Sequence, residues 1–191
     1  MDEFSNYLIV FQSMFVSFVA VEFLVGWRRL IKNRKRYKIC WLQLSWTILL
    51  FVLLVETWWG SWLRRNSIDN NFGCFALTLT SPAIFYFVTA FLFPDGETNE
   101  SHIDLGQHFN EVRVEFHLCL AALIFTYMIN AVLLTDQALF GYENGLRALT
   151  IASLMLPAFG SKKWQQWFVF LWMAVIVLYF TVAFRWTMPE A

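Results

Sequence analysis

The side chains best suited to chemistry lie in and around one polar segment between two apolar runs. All three histidines, His102, His108 and His117, are assigned to this segment. His108, Glu111 and Glu115 have the i, i+3, i+7 spacing that places side chains on one face of a helix. Imidazole and carboxylate groups together can bind a metal ion. Because the spacing matches no established metal motif, we assign no metal and no cofactor and interpret the segment as a solvated acidic loop.

The same segment gives a second interpretation, the docking of a protein partner. It runs for about twenty residues from Pro94 to Arg113, whereas helix–helix connections usually take ~2–8 residues and longer ones are often functional. Apolar residues recur at helical spacing between positions 105 and 116. We therefore predict an amphipathic helical extension of the following span, with its apolar side on the bilayer surface. Its polar side would present four docking residues: Asp104, His108, Glu111 and Glu115.

A third candidate site is a polar lane between two apolar runs. Asn130 lies about two-thirds of the way along one run, where lipid offers its amide no hydrogen-bond partner, so it must face protein or water. The lane residues are Thr78, Ser81, Tyr86, Thr126 and Asn130. They would line a pathway for a small solute or serve as ordinary interhelical hydrogen bonds, and packing is the favoured interpretation.

Basic residues concentrate in the first connection between apolar runs. They are Arg28, Arg29, Lys32, Arg34, Lys35, Arg36 and Lys38. Such a cluster can bind anionic lipid headgroups, at about 1 kcal/mol per charge near the surface. The alternative is that it only sets the orientation of the chain in the membrane. The formal net charge is zero, so the composition does not indicate a nucleic-acid partner.

Two stretches of the middle third resemble a family of small, uncharacterised bacterial inner-membrane proteins. Ser81–Tyr86 with Phe91–Asp95 is similar to a proline-containing span that ends in Phe-Pro-Asp. Asp104–Phe109 is similar to the Asp-Leu-x-x-His-Phe segment that follows an acidic loop in that family. The resemblance implies a multi-pass fold in a bacterial cytoplasmic membrane and no assigned activity.

The elements that must position these residues are membrane helices. Of the 191 residues, 59% are hydrophobic and 15% charged, against ~45–50% and about 25% in soluble domains. Six apolar runs cover residues 4–25, 39–59, 72–93, 114–134, 145–160 and 164–184, and a span needs ~20 apolar residues. The fold is therefore predicted to be all-α, a single polytopic membrane domain over residues 1–191. The shorter fifth run would either cross the membrane or be re-entrant.

Charge asymmetry predicts the orientation. The first, third and fifth connections and their flanks carry Arg28, Arg29, Lys32, Arg34, Lys35, Arg36, Lys38, Arg113, Lys162 and Lys163; the opposite side carries Arg64, Arg65, Arg147 and Arg185. Since cytoplasmic loops are enriched in Lys and Arg, both termini are predicted to be non-cytoplasmic. Tryptophans mark the same borders: Trp27, Trp41, Trp164 and Trp167 at inner ends, and Trp58, Trp59, Trp62 and Trp186 at outer ends.

Three function classes remain open. The leading one is a structural or partner-dependent membrane subunit, including a homo-oligomer, because few ionisable groups lie in mid-membrane. The second is a small transporter or channel that uses the polar lane. The third is a membrane enzyme or metal protein with its site on the inner loop. Phosphate-binding, dinucleotide-binding and nucleophile-elbow motifs are absent from the sequence.

Overall fold

The computed structural model describes residues 3–63, 72–94, 102–135 and 138–187. Its elements in chain order are α1 (Glu3–Lys32), β1 (Tyr37–Lys38), α2 (Trp41–Leu63), α3 (Phe72–Ala90), β2 (Ile103–Asp104), α4 (Leu105–Glu111), α5 (Arg113–Thr135), α6 (Tyr142–Phe159) and α7 (Lys162–Thr187). The all-α prediction is confirmed, because helices account for nearly all of the described chain. Each of the six apolar runs coincides with one long helix.

The helix boundaries differ from the predicted runs mainly at polar ends. α1 continues to Lys32, although the predicted run ends at residue 25. Arg28, Arg29 and Lys32 are therefore helical, and the basic connection itself is short. Basic side chains in the last turn of a helix interact favourably with its carbonyl end, which explains why the polar composition does not stop this helix.

The six long helices form a closed ring. α1 packs against α2 and α3, α3 against α5, α5 against α6, α6 against α7, and α7 against α2. The interior of the ring is filled by large apolar side chains, among them Phe23, Trp46, Phe85, Phe116 and Leu123. Trp46 of α2 contacts Phe116 of α5 across the ring, with the ring centroids 5.2 Å apart. The fold is thus a helical bundle with a packed apolar core.

Three connections meet at one end of this bundle, which we call the basic end. β1 pairs in parallel with β2, with Tyr37 opposite Ile103 and Lys38 opposite Asp104. The Arg113 guanidinium, at the start of α5, donates a hydrogen bond to the Gly160 carbonyl at the end of α6, at 3.0 Å. The connections α1–α2, α3–α5 and α6–α7 therefore share this end, and with them the ten basic residues predicted to lie on one side of the membrane.

Within the part of the chain that the structure describes, four helices are long and apolar enough to cross a membrane, over Tyr7–Lys32, Trp41–Ser61, Phe72–Ala90 and Arg113–Leu134. Their outward faces are apolar as well. On α1, for example, Val10, Met14, Phe18 and Val21 are all more than half exposed. Contiguous apolar surface of this kind belongs in lipid. The protein is therefore a membrane-embedded helical bundle by length and composition; crossing by α6 and α7 and the orientation of the termini stay predictions, and Arg64 and Arg65 lie outside the described residues.

Candidate functional site

At the basic end, Asp104 organises the polar segment. Its carboxylate accepts hydrogen bonds from the backbone N–H groups of Gly106, at 2.8 Å, and Gln107, at 3.3 Å, and so caps the N-terminus of α4. The same carboxylate forms an ion pair with the Lys38 ammonium at 2.8 Å. Asp104 thus joins the two connections and starts a helix. We predicted it as a docking residue, whereas its carboxylate has structural partners on both sides.

The ion pair between Lys38 and Asp104 also shifts the pKa values of both groups. The hydrogen bond from Lys38 lowers the pKa of Asp104 below its usual value of 3.8, and the backbone N–H groups add to this effect. Reciprocally, the hydrogen bond to Asp104 raises the pKa of Lys38 above 10.5. Both groups are therefore charged at neutral pH, and the ion pair persists across the physiological range.

The predicted helical extension of the fourth span is present as α4. Val112, with φ −92° and ψ 9°, interrupts the regular helix geometry between α4 and α5, although backbone hydrogen bonds from Val112 to His108 and from Phe116 to Val112 continue across it. The prediction that the apolar side lies on the bilayer surface is wrong, because Leu105 is 2% exposed and Phe109 is 1% exposed inside the protein. The Phe109 ring contacts Phe116 of α5 at 5.3 Å. Helical spacing correctly marked an apolar face, but this face meets the bundle core and not lipid.

The predicted face of His108, Glu111 and Glu115 is only partly presented. The His108 imidazole is half-buried, and its Nε2–H donates to the Phe91 carbonyl at 3.3 Å, beside the end of α3. Glu111 is exposed and accepts a hydrogen bond from Gln107 at 3.0 Å. Glu115 is exposed as well. The structure therefore leaves two carboxylates available on this surface and gives the histidine a packing role.

Next to this face lies a surface cleft of about 660 Å³. One wall is apolar and comes from the chain that enters α2, with Ile39 and Trp41. The other wall is polar and comes from α4, with Gln107 and Glu111. Gln166 of α7 also lines the cleft, as does the Lys38–Asp104 pair. The cleft was not predicted, because its walls come from segments more than sixty residues apart.

In the interior, the polar lane is a hydrogen-bonded contact. The Asn130 amide of α5 donates to the Ser81 hydroxyl of α3 at 2.9 Å and to the Leu77 carbonyl at 3.3 Å. Asn130 thus faces another helix, as predicted. The second bond is made to a carbonyl that also accepts a hydrogen bond from the Thr80 hydroxyl, at 2.7 Å. The carbonyl that Pro82 deprives of its helical N–H donor is a different one, that of Thr78.

The other lane residues do not continue a path. Thr78 and Thr126 donate to carbonyls of their own helices, those of Phe75 and Ala122, at 2.7 and 2.8 Å. Tyr86 is 40% exposed and points away from the buried core. Of the five predicted lane residues, the structure joins only Ser81 and Asn130 by a hydrogen bond. The described side chains therefore form a local junction between α3 and α5.

Two further interhelical junctions were not predicted from the sequence. The Gln12 amide of α1 donates to the Ser61 hydroxyl of α2 at 3.0 Å. The hydroxyls of Thr57 in α2 and Tyr127 in α5 lie 2.8 Å apart. The available signal was the presence of Gln12 within an apolar run, since an amide in lipid needs a partner.

Buried polar side chains on α5 and α7 were not predicted either. His117 was assigned to the polar loop, yet it is 0% exposed inside α5. Its Nδ1–H donates to the Arg113 carbonyl at 2.7 Å, and its ring contacts Trp46 at 5.5 Å. Gln165 of α7 is fully buried too, and its amide donates to the Pro157 carbonyl at 3.4 Å. The i, i+4 relation of Arg113 to His117 was the only sequence signal, and it does not reveal burial.

Over the described residues, no group of three His, Cys, Asp or Glu side chains comes together as a set of metal ligands. The comparisons with known proteins add no function: no protein-family model, no curated protein and no solved structure matches the chain. The resemblance of Ser81–Asp95 and Asp104–Phe109 to a small inner-membrane family accordingly stays a prediction.

Proposed function

We propose that the protein is a structural, partner-dependent membrane subunit. The observation that carries this proposal is the way polar groups are used inside the bundle. Asn130, Thr57 and Gln12 each bind a polar group on another helix. Side chains paired in this way hold helices together. The amide oxygen of Asn130 has no partner among the described residues, so the pairing rests on its N–H group, which is bound to α3.

The proposal also covers the orientation of the protein, the membrane in which it lies and its contacts with lipid. Six crossings, with the basic end in the cytoplasm and both termini outside, agree with the position of the α1–α2, α3–α5 and α6–α7 connections at one end of the bundle. A bacterial inner membrane is the proposed location. Anionic lipids would contact the basic cluster of the first connection, whose exposed members are Arg28, Lys32, Arg34, Lys35 and Lys38.

The partner is proposed to be a protein that docks at the basic end on an acidic surface formed by Glu111 and Glu115. Both side chains are exposed, and α4 is held rigidly by the Asp104 cap and the Phe109 contact. A rigid, charged surface lowers the ordering cost of association. The occupant would therefore carry basic residues opposite these carboxylates.

Co-purification tests the docking proposal. The full-length protein is tagged, extracted in mild detergent and analysed for retained proteins by mass spectrometry. Glu115→Arg should remove a retained partner, while Glu143→Arg, which reverses an exposed carboxylate at the first turn of α6, should not. Loss with both variants, or with neither, would show that the acidic surface is not the docking site.

A second measurement addresses the transport alternative. Purified protein in liposomes should leak protons and potassium no faster than protein-free liposomes. Asn130→Leu should leave that leak unchanged, because the amide serves packing. A leak that the wild type supports and Asn130→Leu abolishes would favour the polar pathway over the structural subunit.

A further inference from the structure

The cleft at the basic end has the size and the two-sided chemistry of a small-molecule site. Its volume of about 660 Å³ falls within the ~300–1,000 Å³ of typical ligand pockets. One wall is apolar, through Ile39, Trp41 and Leu42, and the other is polar, through Gln107, Asn110 and Glu111. A ligand for this cleft must therefore be amphipathic.

The position of the apolar wall indicates where such a ligand comes from. Trp41 is the first residue of an apolar span, so the cleft opens where the hydrocarbon region meets the polar connection. Trp41 is 78% exposed and Ile39 is 66% exposed. Exposed tryptophan at this boundary contacts the headgroup region of a bilayer. The source of the ligand is accordingly the membrane itself.

The charges in the cleft determine the class of headgroup. The Lys38 side chain is 80% exposed, and only one of its three donors is used by Asp104, so two remain for phosphate oxygens. Because Asp104 balances the charge of Lys38, the carboxylate of Glu111 gives the described lining residues a net negative charge. This carboxylate repels an anionic headgroup and attracts an ammonium. The amide oxygens of Gln166 and Asn110 add acceptors for N–H donors.

We propose that this cleft binds one phospholipid with a primary-ammonium headgroup, its phosphate at Lys38, its ammonium at Glu111 and its glycerol region against Trp41. The proposal rests on the membrane location of the bundle; it shares Glu111 with the proposed docking surface, so docking is tested separately at Glu115, which does not line the cleft. Three N–H donors distinguish a primary ammonium from a quaternary choline, and the positive charge distinguishes it from a glycerol headgroup. Phosphatidylethanolamine is the lipid that combines these properties.

The test measures lipid retention on the full-length protein. Delipidated protein is equilibrated in detergent with equal amounts of phosphatidylethanolamine, phosphatidylcholine and phosphatidylglycerol, and bound lipid is counted by native mass spectrometry. The wild type should retain one phosphatidylethanolamine in preference to the other two. Lys38→Ala should lower that retention about fivefold, which corresponds to about 1 kcal/mol for one basic residue, and Lys38→Arg should restore it.

Glu111→Gln provides the sharpest variant, because it keeps the Lys38–Asp104 pair and the shape of the side chain. It should reduce the preference for phosphatidylethanolamine over phosphatidylglycerol by about two- to fivefold, the range of exposed ion pairs. An unchanged preference in this variant would overturn the proposal, even if Lys38→Ala failed to fold.

Two controls distinguish lipid binding in the cleft from lipid adsorbed on the general surface and from binding of a soluble metabolite. Lys163→Ala with Trp164→Ala changes an exposed basic residue and an exposed tryptophan at the same end, outside the cleft. This double variant should retain lipid like the wild type; an equal loss would show that lipid is held only by the general surface. Soluble phosphoethanolamine should not displace the lipid, and displacement would assign the cleft to a free metabolite. The Glu115→Arg variant should retain the lipid like the wild type, so the result of the lipid measurement does not depend on partner docking.

Discussion

At the scale of single residues, the bundle uses isolated amides and hydroxyls as connections between helices. Asn130 is the clearest case, because its Nδ2 group bridges to both a side chain and a backbone carbonyl of α3. Bonds of this kind in membrane proteins average ~0.6 kcal/mol and reach ~1.7 kcal/mol. Their contribution is small for each bond, but each one also determines which faces of two helices meet.

Removing the amide should therefore weaken the bundle measurably. Asn130→Leu is expected to lower the free energy of unfolding by about 0.6–1.7 kcal/mol, because it removes both bonds to α3 while the shape is nearly kept. Ser81→Ala should cost less, since the Leu77 carbonyl remains as an acceptor. Unfolding in detergent with increasing dodecyl sulfate provides the measurement. If the variant with both substitutions loses as much free energy of unfolding as Asn130→Leu and Ser81→Ala lose together, the two side chains are not coupled.

The Lys38–Asp104 pair makes a pH-dependent contribution. Because the folded-state pKa of Asp104 lies below its usual 3.8, its stabilising effect is complete above that value and is lost as the pH falls through the lowered pKa. The pKa of Lys38 lies above 10.5, so its effect is complete below that value and is lost as the pH rises through the raised pKa.

Asp104→Asn should therefore be less stable than the wild type near pH 7, and the difference should vanish at strongly acidic pH. Melting curves of both proteins in one detergent, taken from pH 9 down to about pH 2, would show this, because the loss occurs below the ordinary pKa of 3.8. A stability difference that stays constant down to the acidic limit would assign the effect to another cause, such as the shape of the cap. Glu143→Gln, an ion-paired carboxylate on α6, is the matched control.

At the scale of elements, α4 shows what periodicity can and cannot predict. The spacing of Leu105, Phe109 and Phe116 correctly indicated an apolar helical face. Periodicity does not say whether such a face meets lipid or protein, and here the short strand pair β1–β2 holds α4 against the bundle. The Asp104 cap was readable, because Asp before an apolar helical run is a start signal. The interruption of regular helix geometry at Val112 depends on local backbone dihedral angles, which no residue type in this stretch predicts.

The inward face of α4 leads to a clear expectation. Phe109→Ala should lower the free energy of unfolding by about 3–5 kcal/mol, the usual cost of removing a buried phenyl ring. Phe125→Ala, on the half-exposed face of α5, should change it by about 0.5 kcal/mol or less. Thermal unfolding of the detergent-solubilised protein compares the two. If both variants changed the stability by the same small amount, Phe109 would have to lie on the bilayer surface, as the sequence alone predicted.

At the scale of the whole molecule, the helices were predictable and their arrangement was not. A bilayer requires ~20 apolar residues for each crossing, which is a strong constraint on sequence. The ring order, in which α7 closes onto α2, depends on contacts between residues more than one hundred positions apart. Trp46 contacts Phe116, His117 and Phe168 through this arrangement, which explains why its role and the burial of His117 were missed. The contact of Asn130 with a neighbouring helix was predictable because lipid excludes the alternative.

The ring also fixes which connections share a side, and this leads to the last prediction. In a variant without Cys40, Cys74 and Cys119, single cysteines are placed at Asn33, at the basic end, and at Phe140, beside the start of α6. Both positions are exposed. Because cytoplasmic loops are rich in Lys and Arg, an impermeant maleimide added to intact cells should label Phe140→Cys and not Asn33→Cys. Permeabilised cells should label both, which serves as the control. Labelling of Asn33→Cys in intact cells would show that the orientation is the reverse of the predicted one. Labelling of neither cysteine in intact cells would place the α5–α6 connection on the cytoplasmic side as well, and one predicted crossing would be absent.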